Sequence, residues 1–242
     1  MSKLSDAIYI NTYFDEKRII YYGIEFKDFI SSLDKPLSNV LLIKHDFYGD
    51  DFHPVCRFEY VKNNDLIKLI NADVNKYGDF CWVDFETEKS LDFLEPQEVA
   101  ELLFFGHLGN PLKSPFFEKL NNRYAYWSHD DGWYNELYSQ NIYEFAPVIA
   151  NAILLRNAKL ESEKVNFLNE EVSKKLLELS GDGLLLDFSK GIVNDKNINI
   201  PIYTIGKLLD MDDMYNNLDK YKNKALFKAW LCFENKRWII KN

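Results

Sequence analysis

Apolar and polar positions change their spacing often along this chain, and the changes predict many short elements. Ala7–Tyr13 and Arg18–Ile24 are rich in Ile and Tyr and are separated by Asp15-Glu16-Lys17, the pattern of a β-hairpin. Phe26–Leu33 has the spacing of a short helix, stopped by Pro36. Val40–His45 is a nearly unbroken apolar run and predicts a central strand, and Val55–Val61 predicts another after a loop with Gly49, Asp50, Asp51 and Pro54. In Asn64–Tyr77 the apolar residues Leu66, Leu69, Ile70, Val74 and Tyr77 recur at helical intervals. Asn63 or Asn64 caps the start and Gly78 stops the end. The β-branched and aromatic content of Phe80–Glu86 argues for a strand.

Pro96 at a first turn, with Glu95 and Glu98 beside it, opens a helix over Gln97–His107 that Gly106 and Gly109 end. Tyr124–Ser128 predicts a strand leading into the turn Asp130-Asp131-Gly132. Helical spacing then runs from Glu144 to Leu179, with Pro147 tolerated only near the start and the charged stretch Lys159–Lys164 as a hinge or an exposed turn. Leu184–Phe188, Ile198–Tyr203 and Leu226–Phe233 predict strands, Ile205–Leu218 a helix, and Trp238–Ile240 the closing arm of a last hairpin. Paired strands with interspersed helices predict an α+β fold, a mixed or antiparallel sheet packed with helices. The break near residue 158 suggests an N-terminal α+β domain over 1–158. A smaller C-terminal α+β portion then covers 159–242, either separate from it or continuous with it.

Length and composition narrow the class. A chain of 242 residues buries roughly 70–75% of its unfolded surface and needs no disulfide or metal to fold. The net charge of −9, with Lys and Arg scattered among acids, disfavours nucleic acid, which selects a basic stripe. The same acidity suits a basic protein partner. Cys56, Cys81 and Cys232 are odd in number, far apart and set in apolar surroundings, as expected of free thiols in a reducing cytoplasm. The opening M-S-K-L-S-D lacks the apolar core of a secretory signal, and no apolar run reaches the length of a membrane span. These features predict a soluble, cytoplasmic protein.

Chemistry-bearing residues concentrate between Tyr77 and Trp133. In Ser128-His129-Asp130-Asp131-Gly132-Trp133 a histidine stands beside two carboxylates, an arrangement open to acid–base work, metal ligation or a plain acidic turn. His129, Asp130 and Asp131 are therefore the candidate catalytic residues, with Asp84 and Glu86, two apart on a strand, as further ligands for a metal. Trp82, Asp84, Glu86, Trp127 and Trp133 are the candidate binding residues; Phe85, Tyr124, Tyr126 and Tyr134 add to the same aromatic set. His107 suits the C-terminal end of its helix, His45 follows a core strand, and His53 lies in a polar loop. There is no H-x-x-x-H spacing and no G-x-S-x-G. Gly106-His107-Leu108-Gly109 follows a helix instead of opening one, so it is no phosphate cradle. No spacing names a cofactor.

Gly78–Glu86 (G-D-F-C-W-V-D-F-E), Leu102–His107 (L-L-F-F-G-H) and His129–Trp133 (H-D-D-G-W) resemble an uncharacterised family of soluble proteins from Gram-positive bacteria, over roughly residues 7–157. The resemblance implies a bacterial setting and assigns no activity or residue role. Some members carry a transporter label, which the lack of a spanning segment here argues against. Taken together, the residues suggest an acidic protein-binding module, immunity- or antitoxin-like. The rival is a small metal-dependent hydrolase using a His/Asp/Glu cluster; a third reading is a structural subunit of a homo-oligomer.

Overall fold

The computed structural model describes residues 7–46, 55–72, 80–129, 133–158, 168–193, 197–207 and 211–242. The fold is α+β with antiparallel strand pairing, in two compact units. One holds residues 7–15, 19–34 and the chain from Ile142 onward; the other holds Glu16–Arg18 and Lys35–Asn141. The chain passes between the units near residues 34 and 141.

In the unit that holds both chain ends, the amino-terminal hairpin forms as its periodicity predicts, from β1 (Ala7–Tyr13) and β2 (Arg18–Tyr22), whose first residue belongs to the other unit. The sheet continues through β8 (Leu184–Asp187), β10 (Ile198–Thr204), β11 (Phe227–Glu234) and β12 (Arg237–Lys241), and the short β9 (Ile192–Val193) also pairs with β10. β1 lies against β8 with Ala7 opposite Asp187 and Ile10 opposite Leu184. Both strands are buried along their whole paired length, as near-continuous apolar runs require. Helix α1 (Phe26–Ser31) and helix α5 (Ala146–Ala158) belong here, as do α6 (Glu170–Leu179), α7 (Met211–Asn216) and α8 (Leu218–Asn223). In α6, Val172 and Leu176 point inward at i, i+4 while Glu171, Lys174, Lys175 and Glu178 face water.

The other unit has the strand order β7-β6-β5-β3-β4: β3 (Asn39–Asp46), β4 (Val55–Val61), β5 (Phe80–Phe85), β6 (Tyr124–His129) and β7 (Tyr134–Ser139). With it go α2 (Leu66–Asn71), α3 (Lys89–Asp92) and α4 (Pro96–Leu108). Helix α4 covers one sheet face. Leu102 and Phe105 from the helix meet Leu41, Ile43, Cys81, Val83, Phe85, Ala125, Trp127 and Tyr138 from the strands in one core. Pro96 occupies the first turn, and the Glu98 side chain accepts from the Glu95 N–H at 2.8 Å, so the predicted start is correct.

Several predicted elements differ in extent. Gly106 does not end α4: it lies inside the helix, where a Cβ would stand 2.1 Å from Cγ2 of Ile43, and glycine is what lets helix and β3 approach. The end comes at Gly109, in the left-handed region at φ 71°. The helix foreseen over Asn64–Tyr77 begins with a 3₁₀ turn at Asn63–Asp65 and ends at Asn71, with Ala72 extended; Val74, Tyr77 and Gly78 lie outside the described residues. Only Leu66 of that helix is buried. Within Ile205–Leu218, residues 205–207 are not helical and Met211–Asn216 is, with 208–210 outside the described residues; α8 follows as a separate helix. The long helical stretch after Glu144 is two helices, with 159–167 outside the described residues. Cys81 and Cys232 are free, buried thiols, and no described helix is long and apolar enough to cross a membrane.

Candidate functional site

The β6–β7 hairpin brings together the densest set of functional groups. Its register sets His129 opposite Tyr134, Trp127 opposite Glu136 and Ala125 opposite Tyr138, so all six side chains share the face covered by α4. The His129 and Tyr134 rings stack 4.3 Å apart and nearly parallel, and Trp127 stands 5.5 Å from the imidazole. The left-handed turn at Gly109 brings the end of α4 onto this group. A Cβ there would lie 3.2 Å from His129 Cε1 and 3.3 Å from the Trp127 ring.

Glu136 is the centre of the arrangement. It is 6% exposed, and its Oε1 accepts from the Tyr138 hydroxyl at 2.7 Å and from Arg18 Nη1 at 3.2 Å. Arg18 also pairs with Glu16 at 2.8 Å. His129 Nε2 lies 3.4 Å from Glu136 Oε2, within ion-pair reach but without a hydrogen bond. Burial pushes the Glu136 carboxyl up. The facing His129, the Tyr138 hydroxyl and the Arg18 charge outweigh burial and hold it below the ordinary carboxylate value. Burial and the Glu136 charge push the Tyr138 hydroxyl the other way, well above its ordinary value. An ionised carboxylate facing an imidazole is the arrangement that orients an acid–base histidine, and the same arrangement also pins a hairpin in place.

The candidates from the sequence fall in different places. Asp84 does not join His129. It lies on the opposite face of the sheet, level with Tyr124, five residues or about 17 Å along the strands from His129. It is buried, accepts from the Tyr124 N–H at 2.7 Å and faces Arg123 Nε at 3.5 Å. Desolvation pushes its carboxyl up to about 6 against the pull of those two contacts. Glu86 lies past the end of β5, exposed, and the two carboxylates do not complete a metal set with His129. No group of three or more His, Cys, Asp or Glu side chains converges among the described residues. Trp82 and Trp127 are interior; Trp82 stacks on Tyr126 at 5.2 Å. These two tryptophans and Asp84 therefore present no surface for docking. Trp133 is half-buried and His107 exposed. Asp130, Asp131, Gly132 and His53 lie outside the described residues, as does the side chain of His45.

Glu136, Tyr138 and Arg18 are the residues that sequence reasoning missed. The available signal was the alternation Tyr134, Glu136, Tyr138, an acid flanked by aromatics two residues away on either side. No protein-family model matches this chain, and no curated protein or solved structure matches it either.

Proposed function

We propose that this chain is an acidic protein-binding module, immunity- or antitoxin-like, acting in the bacterial cytoplasm on a basic protein. The observation that carries the reading is the end of α4. Leu108 and Leu112 are each at least half exposed, on either side of Gly109, which rests on the fixed Trp127–His129 pair. Exposed leucines held by a rigid support favour association, because little order is lost on docking. The net charge of −9 speeds encounter with a basic partner. The resemblance to the Gram-positive family supports the bacterial setting. Affinity capture at low salt from a native bacterial lysate is expected to return a stoichiometric basic protein. A Leu108→Glu/Leu112→Glu variant with an unchanged melting curve is expected to lose it. No stoichiometric capture, or capture indifferent to both substitutions, overturns the reading.

One observation favours a second reading, an acid–base enzyme: the Glu136 carboxylate facing His129. It requires turnover by the purified chain on a panel of ester, phosphodiester and peptide substrates, with and without divalent metal. That turnover is lost in both His129→Gln and Glu136→Gln. A panel without turnover removes it.

A further inference from the structure

Three consecutive backbone carbonyls of the segment that leads into β3 are held by side chains. Arg123, just ahead of β6, donates through Nη2 to the carbonyls of Lys35 at 3.0 Å and Pro36 at 2.9 Å. Asn63 Nδ2 donates to that of Leu37 at 3.2 Å. Lys35 and Pro36 are exposed, and the chain passes from one compact unit to the other at Asp34–Lys35. The other edge of the guanidinium is turned to Asp84, whose Oδ2 lies 3.5 Å from Arg123 Nε. Its central carbon stands 5.2 Å from the centre of the Tyr124 ring. Asp84 is buried, and β3 sets the uncharged Val40 opposite it, so Arg123 is the charged group that faces it. One side chain thus ties a buried carboxylate to two exposed carbonyls.

We propose that Asp84 and Arg123 form a pH-sensitive clasp, which fastens the chain at Lys35–Pro36 while Asp84 is ionised and frees it when Asp84 takes a proton. With the carboxylate ionised, Arg123 cannot swing out without leaving a bare charge in the sheet, a costly state. With the carboxyl neutral, its departure costs only two hydrogen bonds to exposed carbonyls, which water replaces. Opening the clasp removes the charge that favours ionisation, so Asp84 holds its proton more tightly with the clasp open than with it shut. The clasp is therefore tight at higher pH and loosens as pH falls through about 6, where the shut form takes up its proton. Unfolding of the whole chain responds in the opposite sense. Burial raises this carboxyl above its unfolded value, so its contribution to global stability falls as pH rises. Local release and global unfolding are thus separable by their sign.

Nuclear magnetic resonance of the full chain tests the clasp through the hydrogen exchange of the Arg123 Nε–H. The natural chain is compared with Asp84→Asn, which keeps an oxygen for the Tyr124 N–H and carries no charge, at the same pH. At pH 7.5 the exchange is expected to be about tenfold slower in the natural chain, and at pH 5 the same in both. The Pro36 carbonyl carbon, seen through the Leu37 amide, is a second readout. Its resonance is expected to shift with a midpoint of about 6 in the natural chain and to stay put in Asp84→Asn. Equal exchange of the two proteins at pH 7.5 overturns the proposal. So does a difference that persists undiminished at pH 5, or a Pro36 carbonyl that does not move between those pH values in the natural chain.

Discussion

Asp84 shows how far a residue's type can mislead about its work. A carboxylate two positions from another on a strand suggested a ligand, yet it is sealed in the sheet, where it accepts the N–H at the start of β6. Its carboxyl is pushed from an ordinary 3.8 up to about 6. A raised carboxyl binds its proton more tightly in the folded state than in the unfolded one. Its contribution to stability is therefore complete below about pH 4 and disappears as pH rises through 6. Asp84→Asn keeps the oxygen that accepts from Tyr124 and removes the titration. Natural chain minus variant is thus expected to fall by about 2 kcal/mol between pH 4 and 7 in urea unfolding. A difference that stays flat would mean that Arg123 holds the carboxylate ionised throughout. Glu136 is held in the opposite direction, and its removal strands a charge. Glu136→Gln takes from Arg18 the buried carboxylate it pairs with, and a loss of about 2 kcal/mol is expected. Tyr138→Phe costs about 1 kcal/mol. Adding Arg18→Met to the Glu136 variant should recover part of the loss, which a double-mutant cycle reads directly.

At the scale of elements, legibility followed burial. β4 has the bounds its alternation predicts, and α4 starts where Pro96 and Glu98 place it, because caps and two-residue periods are local signals. β7 was not visible, since Glu136 and Asn135 are buried polar residues that break the apolar pattern, while Arg18 and Tyr126, which bond them, come from other strands. The segment Asn64–Tyr77 has helical spacing, but its helix stops at Asn71, and among the residues of α2 only Leu66 is buried; a short helix with one buried side chain has little packing to extend it. Gly106 looked like a stop and is a contact. In an exposed helix Gly→Ala would stabilise by up to about 1 kcal/mol, but here the new methyl meets the β-branched Ile43, which has little freedom to turn away. Gly106→Ala is expected to lower stability by about 2 kcal/mol, and Ile43→Ala in the same chain to relieve part of that. A stabilised single variant would show that α4 shifts easily on its sheet.

At the scale of the molecule, the chain passes between the two compact units near residues 34 and 141, places that no change of hydrophobic period marks. Strand pairing across long sequence separation is invisible to periodicity, because β1 carries nothing in its own residues that names β8 as its neighbour. The consequence can be measured by expressing residues 1–158 alone. That fragment keeps β3–β7 and α4 complete but removes β8, β10, β11 and β12 from the sheet that contains β1, together with the buried face of α6. Ile8, Ile10 and Tyr9, each wholly buried in the full chain, would lose the strand that lies against them. Exposing three such side chains costs roughly 5 kcal/mol, comparable to the whole stability of an ordinary domain. The fragment is expected to aggregate, or to show dispersed amide resonances only for residues 35–141. A fragment of 35–141 alone is expected to retain the dispersion of that unit, since its sheet and its helix-covered core come from within that span. Cooperative folding of 1–158, with β1 protected from hydrogen exchange, would show instead that the amino-terminal hairpin finds its support without β8.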